Sequence, residues 1–561
     1  NIAIAAPLVT LWLATMRQSV GWTIVPCALA IAAAVLLRNR ALRFTRRDFV
    51  LLPTLLTTVL GLVDAVPSLP IDALVYLAAL AILALRVVIT FLPSALPPAL
   101  AFLAAPLALV LQTGFFGRDD RYHGWNALAV VIVTPFLLRV VLKNARRAAV
   151  ILTFVIYPLA LYSYANATSI STGEGKPRVN FFEDGHSLLP ASEYLRGELP
   201  YRDILPGHGL VEDGLLDYVA LRMFGVDAGS RTRTREIVAN VTCIALYFLA
   251  LAMTGSAEGA LLAVLLCFLT GAYGPTVRVV APFFTLALIA AAVRLRRRRL
   301  FAIAGFGTVV CGTVSLDFAA YTFLTFVVAV VRNRAAFRHA AIGVAAGVIP
   351  LALALAVTGI LDDFIRGTFV EVLSVGPAYT LYFFDAPPAM EQLPAFPDVL
   401  GAILERQSFL HLFWFAMAIF TGVTVTRRAP RRLEPLVLLG VWVVVSAISY
   451  AERYHLYFTM LASTVVLYVI VQLLRRRNPL ALAAIVAAIA LAIPAVHLGV
   501  INMIRKSRGP IESTWVEVPD VPRARGALFH QADAAAIASV QKYLDLTLQR
   551  DETFFDFTNR G

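Results

Sequence analysis

Apolar runs of helix-spanning length recur along almost the whole chain, and short arginine-rich clusters fall between them. A bilayer core takes about 20 apolar residues per helical span, and a window of that length gives about seventeen candidate spans. They run over 2–16, 20–37, 49–66, 71–93, 97–116, 124–142, 148–166, 236–254, 258–273, 275–294, 300–316, 318–332, 338–358, 409–426, 434–450, 456–474 and 479–500. With 59% hydrophobic and 15% charged residues, the expected fold class is an all-α polytopic membrane protein.

The net charge of +13 resembles a nucleic-acid signal, but the basic residues lie at 38–47, 143–147, 294–299, 332–338, 427–432 and 474–477, between apolar runs. If the first span crosses outward and the rest alternate, all six clusters face the cytoplasm, as the positive-inside rule requires. The pattern therefore points to membrane lipids and excludes a nucleic-acid partner. The same alternation puts 167–235, 359–408 and the C-terminus on the opposite face. Three parts are expected: a six-span module at 1–147, a core at 148–500 carrying the long outer loops, and the start of a soluble α/β segment at 501–561. In that segment the run from Ala527 to Phe557 reads as an amphipathic helix followed by a strand. Asn1 is not an initiator methionine, which leads us to expect residues before it. Cys27, Cys243, Cys267 and Cys311 sit in apolar runs without metal-like spacing and are expected in the core.

One outer stretch breaks the apolar pattern. FFEDGHSLLPASEYLRGELPYRDILPGHGLVEDGLLDYVALRMFG, residues 181–225, gathers Glu183, Asp184, His186, Glu193, Asp203, His208, Glu212, Asp213 and Asp217. Its punctuation predicts a short helix over 186–197, a turn-rich loop over 198–210 and an amphipathic interfacial helix over 211–224. A carboxylate at the outer face can take the proton of an acceptor hydroxyl. Asp184 is the first candidate, with Glu183 beside it as an equal chemical alternative, Asp203 as a third, and a solvated loop or helix cap as the plain reading. His186 and His208 with these acids can ligate a divalent cation that would neutralise a phosphate leaving group, or else bond within the loop.

Other polar residues stand out against their surroundings. Arg453 and His455 in YAERYHLYF suit a lipid phosphate or a snorkelling interface pair. Asp317 in SLDFAAY is an acid at membrane depth, where ionisable groups mark function. Arg231, Arg233 and Arg235 suit phosphate or lipid headgroups, or a solvated helix start. The loop 359–408, with Asp362, Asp363, Arg366, Tyr379 and Tyr382, can cover a sugar or pack over the bundle. Asn166-Ala167-Thr168 and Asn240-Val241-Thr242 are poor glycosylation acceptors because of their depth.

Glu183-Asp184 in the first large outer loop, GELPYRDILPGHG, DFAAY, YAERYHLYF and the C-terminal α/β start together resemble the GT-C superfamily of integral-membrane glycosyltransferases. The resemblance covers 148–561, and the six spans before the acidic loop depart from the usual pattern. It implies a polyprenyl-phosphate-linked sugar donor, a base at Asp184 or Glu183, and donor contact through Arg453 and His455; Asp317, Arg202 and His208 are further candidates for substrate contact. The expected function is sugar transfer at the periplasmic face of a bacterial inner membrane to a glycan, lipid or protein acceptor. A transporter or flippase of lipid-linked glycans and a non-catalytic subunit of a membrane assembly are the readings to weigh against it.

Overall fold

The computed structural model describes residues 150–159, 161–162, 165, 179, 181–255, 257, 259–260, 263–264, 267, 274–371, 434–435, 438–442 and 515–547. The spans expected within 1–147, 409–426, 456–474 and 479–500 lie outside them, as do Arg453, His455, Tyr379, Tyr382, Cys27 and the sequon at Asn166. The described chain is mostly helical, with a two-stranded sheet near its end.

Helix α1, Phe181–Arg196, opens five residues before the expected start, because Gly185 does not interrupt it, and stops at Gly197 with φ +100°. The interfacial helix expected over 211–224 is broken instead. A π-turn, Val211–Leu215, contains non-helical Asp213 and Gly214 and leads into α2, Leu216–Phe224. Next comes α3, Ala228–Asn240, capped by Asp227 accepting from Ser230 N at 2.7 Å, and α4, Thr242–Thr254, follows directly. Arg231, Arg233 and Arg235 thus lie inside a helix that begins eight residues before the expected span at 236.

Helices α5, Val277–Leu295, α6, Arg298–Val314, α7, Leu316–Arg332, and α8, Phe337–Val357, follow the expected spans within three residues. Among the described residues three stretches, Ala228–Thr254, Val277–Leu295 and Arg334–Val357, are long and apolar enough to cross a membrane. Helix α8 leaves Ile342, Ile349, Leu353 and Val357 more than half exposed, a surface suited to lipid rather than water. The core forms where α4, α5, α6 and α7 meet, and Cys243, Phe283, Phe318, Tyr321 and Trp442 are buried in it. Trp442 Nε1 donates to Thr322 Oγ1 at 3.2 Å, so the indole meets its hydrogen-bonding need inside the apolar core. Cys267 and Cys311 are buried as well.

The two ends of this bundle differ chemically. One carries exposed Arg296, Arg297, Arg298, Arg299, Arg332, Arg334 and Arg338, with Arg332 Nε 3.1 Å from Glu434 Oε1. At the other end the connections hold one another: Leu316 N donates to His208 O at 2.7 Å, and Arg202 reaches across to the turn between α8 and α9, Leu361–Arg366.

The C-terminal segment docks at this second end. Strands β1, Trp515–Val516, and β2, Phe529–His530, pair antiparallel and precede α10, Gln531–Thr547. The expected helix is thus present, with two short strands before it; the strand expected after it, near Phe557, lies outside the described residues. Val518, Val521, Ala524 and Phe529 cover Val179 and Ala228, while Gly229 N donates to Arg525 O at 3.0 Å. A Cβ at Gly229 would stand 2.5 Å from Gly526 O, so only glycine admits this approach. Gly229→Ala is expected to undock the segment, read as new protease cleavage within 515–530 while the helices keep their protection.

Candidate functional site

The site grows from one side chain. Arg231 on α3 is 1% exposed, and a guanidinium that deep must be surrounded by acceptors. It ion-pairs with Asp184 of α1, donates through Nε to Asp217 Oδ2 of α2 at 3.0 Å, and donates to Ser187 Oγ. One turn further along α3, Arg235 faces the same way. It ion-pairs with Glu212, donates to Glu212 O at 3.1 Å, and lies 3.4 Å from Asp217 Oδ2. Asp217 is fully buried between the two arginines. These contacts correct the picture of a solvated helix start, because the sequence supplies arginines at i and i+4 on the one face that meets the acidic loop.

Asp317 is likewise not a lone acid. In the first turn of α7 it ion-pairs with Arg278 of α5, while its Oδ1 accepts from Ser315 Oγ and, at 2.8 Å, from Phe318 N. Arg278 is 3% exposed, and its guanidinium carbon lies 5.7 Å from the centre of the Phe318 ring. The two layers join through the loop 205–214. Gly209, φ +142°, lies so close to the junction of α6 and α7 that a Cβ would be 2.6 Å from Val314 O. Glu212 also senses both Arg278 and His208; burial lifts its carboxyl above the ordinary carboxylate range, against the pull of Arg235 and then Arg278.

Within that loop His208 is held on three sides. Its N–H donates to Asp213 Oδ2 at 2.6 Å, its Nδ1 lies 3.0 Å from Asp213 Oδ1, and its carbonyl accepts from Leu316 N. His186 meets it edge to face, with ring centres 6.1 Å apart. Among the described residues no three His, Cys, Asp or Glu side chains converge as a metal site requires.

The stretch LPYRD does different work. Tyr201, φ +67°, is buried against Phe364, ring centres 4.9 Å apart, and burial pushes its hydroxyl up to about 12. Arg202 Nε donates to Asp363 Oδ2 at 3.0 Å, and Nη2 donates to Gly359 O. Asp203 is exposed and its Oδ2 accepts from Leu199 N at 2.7 Å, closing the turn. Tyr201 and Arg202 clasp the loop to α9 and the turn before it, and Asp203 closes the loop's own turn, rather than line the Arg231 layer.

The structure thus brings Asp184, His186, His208 and Asp317 to one end of the bundle and sets Arg202 and Asp203 in the clasp. Glu183 lies in the first turn of α1. The sequence showed Glu212, Asp213 and Asp217 only as members of the acidic stretch, without roles, and Arg278 was missed. An arginine inside the apolar run TVRVV was the available signal for Arg278, since a charge there needs a buried partner. Glu236 on α3 was missed too, and its Oε2 is enclosed with no hydrogen-bond partner among the described residues. Four carboxylates, Asp184, Glu212, Asp217 and Asp317, pair with three guanidiniums, Arg231, Arg235 and Arg278, and a fifth, Asp213, faces His208. Such an excess of acceptors is suited to sugar hydroxyls and to taking protons.

Removing one partner of a buried ion pair strands the other. Arg231→Met is therefore expected to cost roughly 3–5 kcal/mol, seen as a lower melting temperature in detergent, whereas Arg233→Met, on the exposed side of α3, should change it little. Comparisons with protein-family models, curated proteins and solved structures return no match, so the chemistry of this layer carries the functional reading.

Proposed function

We propose that the chain is a GT-C-type membrane glycosyltransferase. It moves a sugar from a polyprenyl-phosphate-linked donor to a glycan, lipid or protein acceptor on the periplasmic face of a bacterial inner membrane. The observation that supports this reading is the gathering of Asp184, His208, Asp213 and Asp317 at the bundle end opposite the exposed arginines. Those arginines mark the cytoplasmic side by the positive-inside rule, which makes the carboxylate-rich end, with the docked C-terminal segment, periplasmic. An acceptor hydroxyl entering there meets fixed acceptors, and a lipid-linked donor reaches the same depth from the bilayer. The reading takes the whole chain as a bundle of about seventeen spans.

Asp184 is essential to this reading, because its carboxylate is partly exposed and also holds the Arg231 end of the layer. Asp184→Asn removes the charge that balances Arg231, and the disturbed layer is expected to lower turnover about 100-fold or more. Glu183→Gln is expected to be milder. Purified protein supplied with polyprenyl-linked sugars, with product followed by mass spectrometry, measures both. A parent that transfers sugar from no donor would sink the enzyme reading in favour of transport or a structural role. Cysteine labelling in intact cells tests the topology: a cysteine at Leu205 should react with an impermeant reagent from the periplasm, and labelling only from the cytoplasm would reverse the assignment.

A further inference from the structure

The Asp213–His208 pair is more tightly built than a loop histidine needs to be. Asp213 N donates to Gly209 O at 2.8 Å, and both Asp213 oxygens face His208, at 2.6 Å from its amide and 3.0 Å from Nδ1. Two glycines make this turn possible. Gly209, φ +142°, packs against Val314 and Ser315, and Gly214, φ +116°, packs so that a Cβ would stand 2.8 Å from Pro190 Cβ and 2.9 Å from Ala191 N. The backbone conformation is open to glycine and strained for other residues. Asp213 is 7% exposed at its side chain and His208 is 34% exposed, so the carboxylate is enclosed and the imidazole reaches solvent.

The geometry fixes which nitrogen is available. An ionised carboxylate can only accept, so Asp213, which also accepts from the His208 amide, favours the proton on Nδ1 and leaves the lone pair on Nε2 of the partly exposed ring. From the elements packed around the ring, Glu212 and Asp213 face it from the turn and His186 from α1. Asp317, with its partner Arg278, lies behind the Leu316 N contact on α7 and α5. By contrast, Asp184 is ion-paired with a nearly inaccessible guanidinium.

We propose that His208 is the base of this site, taking the proton of the acceptor hydroxyl, and that Asp213 is its positioning residue. The inference rests on the transferase reading and deepens it by naming the group that activates a hydroxyl acceptor. His208 Nε2 takes the hydroxyl proton, and the freed oxygen pair forms the new bond to the anomeric carbon. The bond from that carbon to the donor phosphate breaks with its electron pair on the phosphate oxygen. The imidazolium, balanced by Asp213, returns its proton to the departing phosphate or to water. This is the nucleophile–base–orienter logic of hydrolytic triads with the substrate hydroxyl as nucleophile.

The test uses the purified full chain with a polyprenyl-linked sugar donor that the parent accepts. His208→Ala is expected to lose about 100-fold or more in kcat, and added imidazole, which can occupy the space and take the proton, should restore at least tenfold. Asp213→Asn should lower kcat about 100-fold with KM little changed, and it serves as the second variant should His208→Ala fold poorly. His339→Ala, at the arginine-rich end, should keep parent rates with and without imidazole. A folded His208→Ala as active as the parent, or one that loses activity and is not restored by imidazole, overturns the proposal while leaving the transferase reading in place. So does Asp213→Asn at parent rate. A parent with no transfer from any donor overturns both.

Discussion

Much of the described structure at the carboxylate-rich end depends on the burial of Arg231. Taking a guanidinium from water costs several kcal/mol even after the protein relaxes around it, and only good geometry with every donor satisfied offsets that. Arg231 meets the condition by drawing Asp184, Ser187 and Asp217 to itself from two helices. Those contacts fix α1 and α2 against α3, and α3 in turn carries the C-terminal segment on Gly229. A single buried charge thereby sets the positions of three helices and one docked segment. Apolar packing between the same helices would leave them freer to slide, because one aliphatic side chain replaces another at small cost whereas an ion pair has one geometry.

Hydropathy made the bundle legible. The spans that became α5 to α8 were placed within three residues, because a helix crossing an apolar layer leaves a continuous signal that tertiary contacts cannot rewrite. The acidic stretch was legible as a departure from that signal, but its internal geometry was not. The break at Asp213 and Gly214 was read as continuous helix because the apolar spacing of Leu215, Leu216, Val219 and Leu221 continues across it. What overrides the period is the positive φ of Gly214 together with the pull of Asp213 on His208, and neither is local to a helical window. The pairings of Arg231 and Arg278 were hidden for a related reason: their acids lie 14, 47 and 39 residues away, and composition shows the charges without showing which will meet.

The most motif-like run in the chain, GELPYRD, carries structure rather than the centre of the acidic layer. Arg202 and Asp203 are attractive as site residues because polar groups so close in sequence read as chemistry. Arg202 instead joins Asp363 and Gly359, 161 and 157 residues further on, and Asp203 closes the turn beneath it. That division follows from exposure. A partly exposed arginine holds a loop through several weak bonds without a large desolvation cost, while deeply buried Arg231 and Arg278 are reserved for fixing helices. Sequence spacing alone gives the same appearance to both.

The balance of charge separates a framework from a site. A network built only to hold helices together does best near charge parity, since each unpaired buried carboxylate carries its desolvation cost without return. Here Arg231, Arg235 and Arg278 already face four acids, Asp184, Asp217, Glu212 and Asp317, so the framework needs no further acid. Asp213 is added to it, enclosed and facing a histidine that reaches solvent. Its carboxylate contributes nothing to the arginine pairs, and holding it requires two glycines in conformations that other residues adopt only under strain. A group kept at such cost outside the stabilising pairs is where the chain departs from the rules that serve folding alone, and that departure is what ties the pair to chemistry at the carboxylate-rich end of the bundle.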